Sequence, residues 1–249
     1  RQDVLELVGV HSHIGSNIHD ADAFIQAAKR MMLLRKTLWA TDAYILPEID
    51  LGGGYSVAYT DGEDSMDIDV ELTRLADAVN STNRALGMPA PAISFEPGRY
   101  IVAPAGITLY RVGTIKHVHL SDAKDSDGNP IAERVYVSVD GGMSDNIRTA
   151  LYGAEYESVI ANKANQPRTK VVTLVGKHCE SGDAVAADAS IQNPDLGDIV
   201  CMFGTGAYCH SMSSRYNGQP RPGIVFVKDG KARLVTRRES YADLMSCDL

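Results

Sequence analysis

A carboxylate and a guanidinium stand three residues apart in the motif Glu96-Pro-Gly-Arg99. Residues 92–95, just before it, are mostly apolar and β-prone, and Pro97-Gly98 favours a turn. An apolar segment that ends in a carboxylate, a turn and a guanidinium predicts a strand that presents polar groups to a ligand at its tip. A simple ion pair at a strand end is the alternative interpretation.

Two histidines, His11 and His13, follow a β-prone segment at residues 5–10. A spacing of two places both on one face of a regular strand, so a two-histidine metal site has to be considered. No carboxylate or third histidine follows at a spacing that completes such a site. We therefore expect no metal, and a histidine satisfied within the core is the usual outcome for one of the two.

Three glycines, Gly52, Gly53 and Gly54, end another short strand at 48–51. Because glycine has no side chain, backbone N–H groups there could approach a phosphate closely. A plain turn at the end of the strand explains the same residues equally well. Neither a Walker A motif nor a G-x-G-x-x-G motif is present, which disfavours a nucleotide site.

Two further pairs carry chemistry later in the chain. Arg148 and Tyr152 are four residues apart, so on a helix they would share a face and could offer a guanidinium and a phenol to an anion. The alternative is that both are surface side chains with no binding role. Cys179 stands beside Glu180, which joins a candidate proton donor to a candidate cation binder. A buried cysteine acting as a small apolar residue is the competing interpretation.

The elements that must position these residues alternate between strand and helix in the first hundred residues. Helical periodicity covers 20–39, with Asp20 as the expected cap, and 67–86, which begins at Asp67 and is terminated by Gly87. Strands are predicted at 5–10, 48–51 and 92–96, which indicates a parallel sheet with its polar groups at the carboxyl ends.

The later chain predicts a second, mostly antiparallel β domain with an exposed loop at 124–130. Lys228-Asp-Gly-Lys231 predicts a hairpin turn between the last two of its β-rich segments. These segments are 107–118, 135–139, 170–175, 199–203, 224–227 and 232–236.

Composition limits the classes of partner. The chain has 249 residues, of which 44% are hydrophobic and 22% charged, and its formal net charge is -8. This charge disfavours nucleic acid and anionic membrane surfaces and leaves a small molecule as the expected partner. The four cysteines form no C-x-x-C pair, and no apolar run is long enough to span a membrane. We expect free thiols and a cytoplasmic protein.

Eight motifs in one order resemble the diaminopimelate decarboxylases, which are pyridoxal-phosphate enzymes of the alanine-racemase-like fold. Each motif alone is modest, but the ordered set is highly specific and runs nearly the whole length of the chain. The motifs are His11-Ser-His-Ile-Gly-Ser, Asp50-Leu-Gly-Gly-Gly-Tyr, Glu96-Pro-Gly-Arg, Val139-Asp-Gly-Gly-Met-Ser-Asp, Arg148…Tyr152-Gly, Cys179-Glu-Ser-Gly-Asp, Gly206-Ala-Tyr and Met212-Ser-Ser-Arg-Tyr-Asn.

The resemblance implies an α/β fold in two domains. Residues 1–104 would be the C-terminal part of a pyridoxal-phosphate-binding (β/α)8 TIM barrel, and residues 105–249 a mostly antiparallel C-terminal β domain. It also implies a homodimer whose active sites take residues from both subunits, acting on a small amino-acid substrate.

By the same resemblance, His13 would stack on the pyridine ring of the cofactor, Glu96 would face the ring nitrogen, and Cys179 from the neighbouring subunit would donate a proton. These three are the expected catalytic residues. The implied cofactor-binding residues are His13, Ser16, Gly52, Gly53, Gly54, Glu96, Gly98, Arg99 and Tyr208. The implied substrate-binding residues are Arg99, Arg148, Tyr152, Glu180 and Tyr208.

One expected residue has no counterpart here. The family's Schiff-base lysine lies on the first barrel strand, and no lysine of this chain stands in an equivalent context. We therefore expect the C-terminal portion of an enzyme that decarboxylates meso-2,6-diaminopimelate to L-lysine and CO2, with no turnover by this portion alone. The Cys179-Glu-Ser-Gly-Asp motif favours that substrate. A decarboxylase of another basic amino acid, such as ornithine, lysine or arginine, and a non-catalytic dimerising fragment are the alternatives.

Overall fold

The structure is a computed structural model that describes residues 3–124 and 128–249. The chain forms two compact units. The first comprises the described residues up to Ala58 together with Gly62–Ala103, and the second comprises Tyr59–Asp61 together with Pro104–Leu249. The change from one unit to the other falls after Ala103, and no local sequence pattern indicates that Tyr59–Asp61 belong with the later residues.

The first unit alternates short strands with helices, which confirms the mixed α/β class. Its three strands are parallel and lie in the order β1-β2-β3. The elements are β1 (Gly9–His11), α1 (Ala21–Asp42), β2 (Glu48–Asp50), α2 (Ile68–Leu86), β3 (Ala92–Ser94) and the short helix α3 (Gly98–Val102).

Both long helices begin at the aspartates that the sequence indicates. The Asp20 side chain accepts a hydrogen bond from the backbone N–H of Asp22, and the Asp67 side chain accepts one from Val70. These bonds satisfy backbone donors that have no partner within the helix. Helix α2 ends at Gly87, whose φ of 61° lies in the left-handed region that glycine adopts at low cost.

The core of the first unit lies where the two helices cover the sheet. Phe24 and Met32 of α1 and Leu75 of α2 are buried in one cluster with Ile49 of β2. The Phe24 ring stacks on the ring of Tyr55, with centroids 4.5 Å apart. A close-packed layer of this kind holds the strands in register, so the carboxyl ends of β1, β2 and β3 stay at one edge.

The first strand is shorter than the sequence predicts. The expectation was a strand at 5–10, but β1 comprises only Gly9–His11, and Leu5, Leu7 and Val8 are exposed. Among the described residues β1 pairs only with β2, over three residues. The Val8 carbonyl still accepts a hydrogen bond from the Glu48 N–H at 3.1 Å, but among the described residues Leu5 and Leu7 have no strand partner, and β-propensity alone does not form a strand.

The second unit is built on a six-stranded sheet in the order β6-β9-β4-β5-β7-β8, with a separate hairpin of β10 and β11. All neighbouring pairs are antiparallel except β5 with β7. The elements are β4 (Thr108–Lys124), β5 (Pro130–Val139), α4 (Arg148–Tyr152), β6 (Ser158–Ile160), β7 (Lys170–Val175), β8 (Ala184–Ile191), β9 (Ile199–Met202), β10 (Ile224–Lys228), β11 (Lys231–Thr236) and α5 (Tyr241–Leu244).

Three segments of this sheet differ from expectation. The three-residue strand β6 was not predicted, and its structure comes from pairing with β9. Strand β8 was not predicted either, because its alanine-rich sequence has little intrinsic preference for strand; pairing with β7 supplies the structure. The expected loop at 124–130 is shorter, since Lys124 and Pro130 pair with each other at the ends of β4 and β5. Residues 125–127 of that expected loop lie outside the described residues.

All four cysteines are free thiols. Cys179 and Cys247 are exposed, and Cys201 and Cys209 are buried. Within residues 3–124 and 128–249, none of the helices has the length and apolar character needed to cross a membrane.

Candidate functional site

Chemistry-bearing side chains of the first unit collect at the carboxyl ends of its three parallel strands. His11 at the end of β1 is the register partner of Asp50 at the end of β2. Asp50 is in turn the register partner of Ser94, the last residue of β3. The backbone N–H of Glu96 donates to the carbonyl of Gly52 at 2.9 Å, so the pairing continues past the strands. Glu96 therefore reaches the same edge as His11 and Asp50.

Histidine and carboxylate side chains meet at this edge. His11 Nε2 lies 3.2 Å from Glu96 Oε2, and both side chains are about half exposed, at 51% and 55%. One ligand atom from each of His11, Asp50 and Glu96 lies within 4.8 Å of the others. The Asp50 carboxylate also accepts a hydrogen bond from the Gly52 N–H at 2.8 Å, which fixes its orientation.

A guanidinium and a hydroxyl form a second polar group in the same unit. Arg99 is buried, with 7% of its surface exposed, and its Nη2 donates to Ser16 Oγ at 2.6 Å. The two residues come from motifs 83 positions apart in the chain. A planar guanidinium next to a hydroxyl is a donor set suited to a phosphate or carboxylate.

The three glycines approach neighbouring backbone closely. A Cβ atom on Gly53 would lie 2.2 Å from the Glu96 carbonyl oxygen, and one on Gly54 would lie 2.2 Å from that of Gly15. The N–H of Gly52 donates to Asp50, and the N–H of Gly53 donates to His13 Nδ1 at 3.2 Å. Close packing of the chain already requires glycine here, and two of the N–H groups expected to face a phosphate have partners within the protein.

Tyr55 lies beneath this edge, buried with 2% of its surface exposed. Burial, with a smaller contribution from the Asp50 carboxylate, raises the pKa of Tyr55 to about 12. The phenol is therefore held neutral well above its usual range, since ionisation would place a charge in an apolar layer beside a carboxylate.

In the second unit, Arg148 lies in an enclosure of aromatic rings. Its Nη1 donates to the hydroxyl of Tyr156 at 2.6 Å, and its guanidinium carbon lies 5.5 Å from the ring centres of Tyr59 and Tyr208. Burial disfavours the charged form, but the oxygens of Tyr156 and Tyr59 outweigh it and raise the pKa of Arg148. The guanidinium is therefore a charged group held in place by tyrosines.

Tyr152 and Tyr208 are both much more exposed than Arg148. Tyr152 shares helix α4 with Arg148 as the spacing predicts, but it is 63% exposed, and the phenol that bonds the guanidinium is that of Tyr156. Tyr208 is 42% exposed and has a φ of 66°. A bulky residue in the left-handed region is uncommon and strained, and such strain clusters at functional sites.

Cys179 and Glu180 lie on an exposed turn that three motifs hold together. The buried carboxylate of Asp183 accepts hydrogen bonds from the backbone N–H groups of Met143 at 2.6 Å and His178 at 2.7 Å. The His178 ring in turn bonds Ser144 Oγ at 2.9 Å. The turn is thus fastened at both ends, and its thiol stays exposed to solvent.

Glu180 has a partner that the sequence did not single out. The hydroxyl of Tyr216 donates to the Glu180 carboxylate, and this hydrogen bond raises the pKa of Tyr216. Tyr216 belongs to the motif Met212-Ser-Ser-Arg-Tyr-Asn, so its neighbourhood was recognised although its role was not. The sequence analysis also assigned no role to Asp50, Tyr59 or Tyr156. Of these, Asp50 had the clearest local signal of a site residue, because it stands at the end of a strand directly before the glycines.

The sequence of the chain is similar to one family of known proteins. Residues 1–103 match the family described as pyridoxal-dependent decarboxylase, pyridoxal binding domain. The chain is 43% identical over 246 residues to a diaminopimelate decarboxylase of Corynebacterium efficiens, covering 98% of this chain and 52% of that protein. It is 45% identical over 253 residues to a diaminopimelate decarboxylase of Mycobacterium tuberculosis, covering 99% and 55%.

Solved structures give the same result. The chain is similar to a diaminopimelate decarboxylase of M. jannaschii in complex with L-lysine, with a TM-score of 0.81 and 30% identity over 97% of this chain and 52% of that one. The chain thus spans about half the length of the curated relatives that it matches. The ordered motifs therefore indicate the same relatives as an overall comparison of sequence and fold.

Proposed function

Residues 1–103 belong to the pyridoxal-binding domain family of the pyridoxal-dependent decarboxylases, and on that premise we propose that the chain serves the decarboxylation of meso-2,6-diaminopimelate to L-lysine and CO2. The observation that carries the proposal is the arrangement at the strand ends of the first unit. There a guanidinium–hydroxyl pair, Arg99 with Ser16, and a carboxylate, Glu96, occur together with histidines. The cofactor of this family is pyridoxal 5'-phosphate.

The donor set fits this cofactor. Arg99 and Ser16 offer a charged and a neutral donor to its phosphate, together with Gly54. Gly52, Gly53 and Gly98 would contribute only if their N–H groups exchanged Asp50, His13 and the Glu96 carbonyl for a phosphate oxygen.

Two further residues act on the ring of the cofactor in this proposal. Glu96 would lie beside the ring nitrogen and favour its protonated form, because a carboxylate stabilises an adjacent cation. The imidazole of His13 would stack on the ring.

When bound, pyridoxal phosphate supplies an electron sink for the electron pair released as the substrate carboxylate leaves as CO2. The residues of this chain bind the substrate and orient it for the loss of CO2. Arg99, Arg148 and Tyr152 hold carboxylate groups, and Tyr208 contacts phosphate or substrate. Glu180, oriented by the Tyr216 hydroxyl, binds the distal ammonium.

Cys179 donates the proton that replaces the lost carboxylate. An exposed thiol on a fastened turn, next to Glu180, is suited to this task, because it is accessible and held in position by Asp183. In the proposed homodimer Cys179 and Glu180 complete the active site of the neighbouring subunit. The free thiols are consistent with a cytoplasmic enzyme.

The proposal also assigns the architecture. The first unit, within residues 1–104, corresponds to the last three strands of a (β/α)8 barrel, in which ligands bind at the carboxyl ends of the strands. The collection of His11, Asp50 and Glu96 at that edge supports this assignment. Residues 105–249 correspond to the C-terminal β domain.

The test is CO2 release by the full gene product that contains this chain, measured in parallel on meso-diaminopimelate, L-lysine, L-ornithine and L-arginine. We expect diaminopimelate to react at least tenfold faster than the others. Glu180→Gln should raise the KM for diaminopimelate with a smaller effect on kcat, whereas Glu155→Gln, a matched change on the surface, should alter neither. Faster reaction of ornithine, lysine or arginine would overturn the substrate assignment, and no release from any of them would overturn the activity.

A further inference from the structure

Three side chains of metal-ligating type converge at the strand ends of the first unit, although no two of them are near neighbours in the sequence. One atom each from His11, Asp50 and Glu96 lies within 4.8 Å of the other two. The pairing of β1 with β2 aligns His11 with Asp50, and the bond from the Glu96 N–H to the Gly52 carbonyl carries Glu96 to the same edge. Backbone pairing rather than side-chain rotation thus brings the three together.

We propose that His11, Asp50 and Glu96 bind one divalent transition-metal ion of the Zn²⁺ class in the cofactor-free protein. One imidazole nitrogen with two carboxylate oxygens suits Zn²⁺, Co²⁺ or Ni²⁺ better than Mg²⁺ or Ca²⁺, which prefer oxygen alone. Three protein ligands leave one tetrahedral position for water. Because zinc lies about 2 Å from each ligand atom, two ligand atoms on one tetrahedral ion are about 3.3 Å apart, so the most widely separated atoms have to approach one another by up to about 1.5 Å.

The side chains have the freedom that this adjustment needs. His11 and Glu96 are half exposed, and their Nε2 and Oε2 atoms already lie 3.2 Å apart, which is the separation of two ligands on one ion. The Gly52 N–H fixes the Asp50 carboxylate from behind, in the way that an outer hydrogen bond orients a ligating carboxylate. An ordinary surface ion pair would account for His11 and Glu96 but not for the third member.

His13 is not part of this site. Its Nδ1 accepts a hydrogen bond from the Gly53 N–H at 3.2 Å, so the imidazole is tied to the glycine turn. The ion therefore uses the first histidine of the His-Ser-His motif, and its other ligands come from the two neighbouring strands. Glu96 belongs also to the proposed cofactor site, so the ion and the cofactor exclude one another.

The experiment is a titration of the cofactor-free chain with Co²⁺, followed by its visible d–d absorption, and with Zn²⁺, followed by calorimetry. We expect one site per chain with the weak absorption of nitrogen and oxygen ligands. His11→Ala should weaken binding at least tenfold, and Glu96→Gln should do the same. His19→Ala, an exposed histidine of the same unit that bonds the Asp64 carbonyl, should leave binding within twofold.

Two results would overturn the proposal. One is binding that His11→Ala leaves unchanged, and the other is a strong near-ultraviolet band from a cobalt–thiolate bond, which would place the ion on Cys179 or Cys247. Circular dichroism of each variant verifies that the unit is folded. The outcome is independent of the proposed activity, because the titration contains no pyridoxal phosphate; cofactor binding is measured separately on the metal-free chain.

Discussion

The Arg148 guanidinium donates a hydrogen bond to the Tyr156 hydroxyl at 2.6 Å, and both groups are buried. The two residues are eight positions apart in the chain. The same hydroxyl lies 3.5 Å from the Cys209 thiol. Burial and this thiol raise the pKa of Tyr156 above its usual range. Tyr59 also favours the charged guanidinium, but the bond to the neutral Tyr156 phenol lies in a buried place where water cannot readily replace it.

Tyr156→Phe is therefore expected to destabilise the second unit. Removal of the hydroxyl leaves a donor of the buried guanidinium without its acceptor, which costs about 1–3 kcal/mol for a bond to a charged group. Urea unfolding measures the loss. Tyr152→Phe, the same change at an exposed position four residues away, should alter the free energy of unfolding by less than about 0.5 kcal/mol. Equal effects of the two substitutions would contradict a structural role for the Arg148–Tyr156 bond.

Ser16→Ala should weaken the binding of pyridoxal phosphate. If Ser16 and Arg99 hold the phosphate, loss of the hydroxyl removes one hydrogen bond to an anion and raises the Kd about tenfold. Equilibrium dialysis of the chain against cofactor measures this. Pyridoxal without its phosphate should bind both forms alike, and Ser81→Ala, on the exposed face of α2, should have no effect. A parallel loss of pyridoxal affinity would mean that Ser16 acts on the ring instead.

Tyr55→Phe should change the stability of the first unit only at alkaline pH. The pKa of Tyr55 in the folded chain is about 12, above its ordinary value of 10, so its contribution to stability is complete below pH 10 and is lost as pH rises through 12. Between pH 10 and 12 the unfolded chain ionises this phenol while the folded chain does not, so the free energy of unfolding falls by about 2–3 kcal/mol, and Tyr55→Phe removes that fall. At pH 7 the substitution should cost little, because among the described residues the buried hydroxyl has no hydrogen-bond partner.

Unfolding in urea between pH 8 and 12 measures this difference. The free energy of unfolding of the variant should fall less steeply with rising pH than that of the unchanged chain. Tyr241→Phe, at an exposed position, serves as the control and should retain the original slope. A steep loss that persists unaltered in Tyr55→Phe would show that other tyrosines, such as the buried Tyr110, dominate alkaline unfolding.

Gly53→Ala should destabilise the first unit by about 1–3 kcal/mol, the usual cost of forcing an atom into a packed place. The added methyl group would lie 2.2 Å from the Glu96 carbonyl oxygen, so β2 and the segment after β3 would have to separate. Gly62→Ala is the matched control, since a Cβ there meets nothing within 4 Å. If both variants unfold at the same urea concentration, the glycine turn is not closely packed, and a role in cofactor binding would remain its main constraint.

The sequence alone determined the features that depend on neighbours along the chain. Asp20, Asp67 and Gly87 marked the helix ends, because caps act within one turn. The turn at Lys228-Asp-Gly-Lys231 marked the hairpin of β10 and β11 for the same reason. The ordered motifs also identified the relatives, because a set of specific residues in one order survives changes elsewhere in the chain.

Only the tertiary structure decided which chemical groups meet. No carboxylate follows His11 along the chain at a spacing that completes a metal site, yet strand pairing brings Asp50 and Glu96 beside it. Arg148 bonds Tyr156, whereas Tyr152, the phenol that the spacing singled out, is exposed, and Tyr59 joins the guanidinium from a distant segment. Local propensity is set by the nearest few residues, whereas these contacts depend on how strands pair and side chains pack across the fold, which no short pattern encodes.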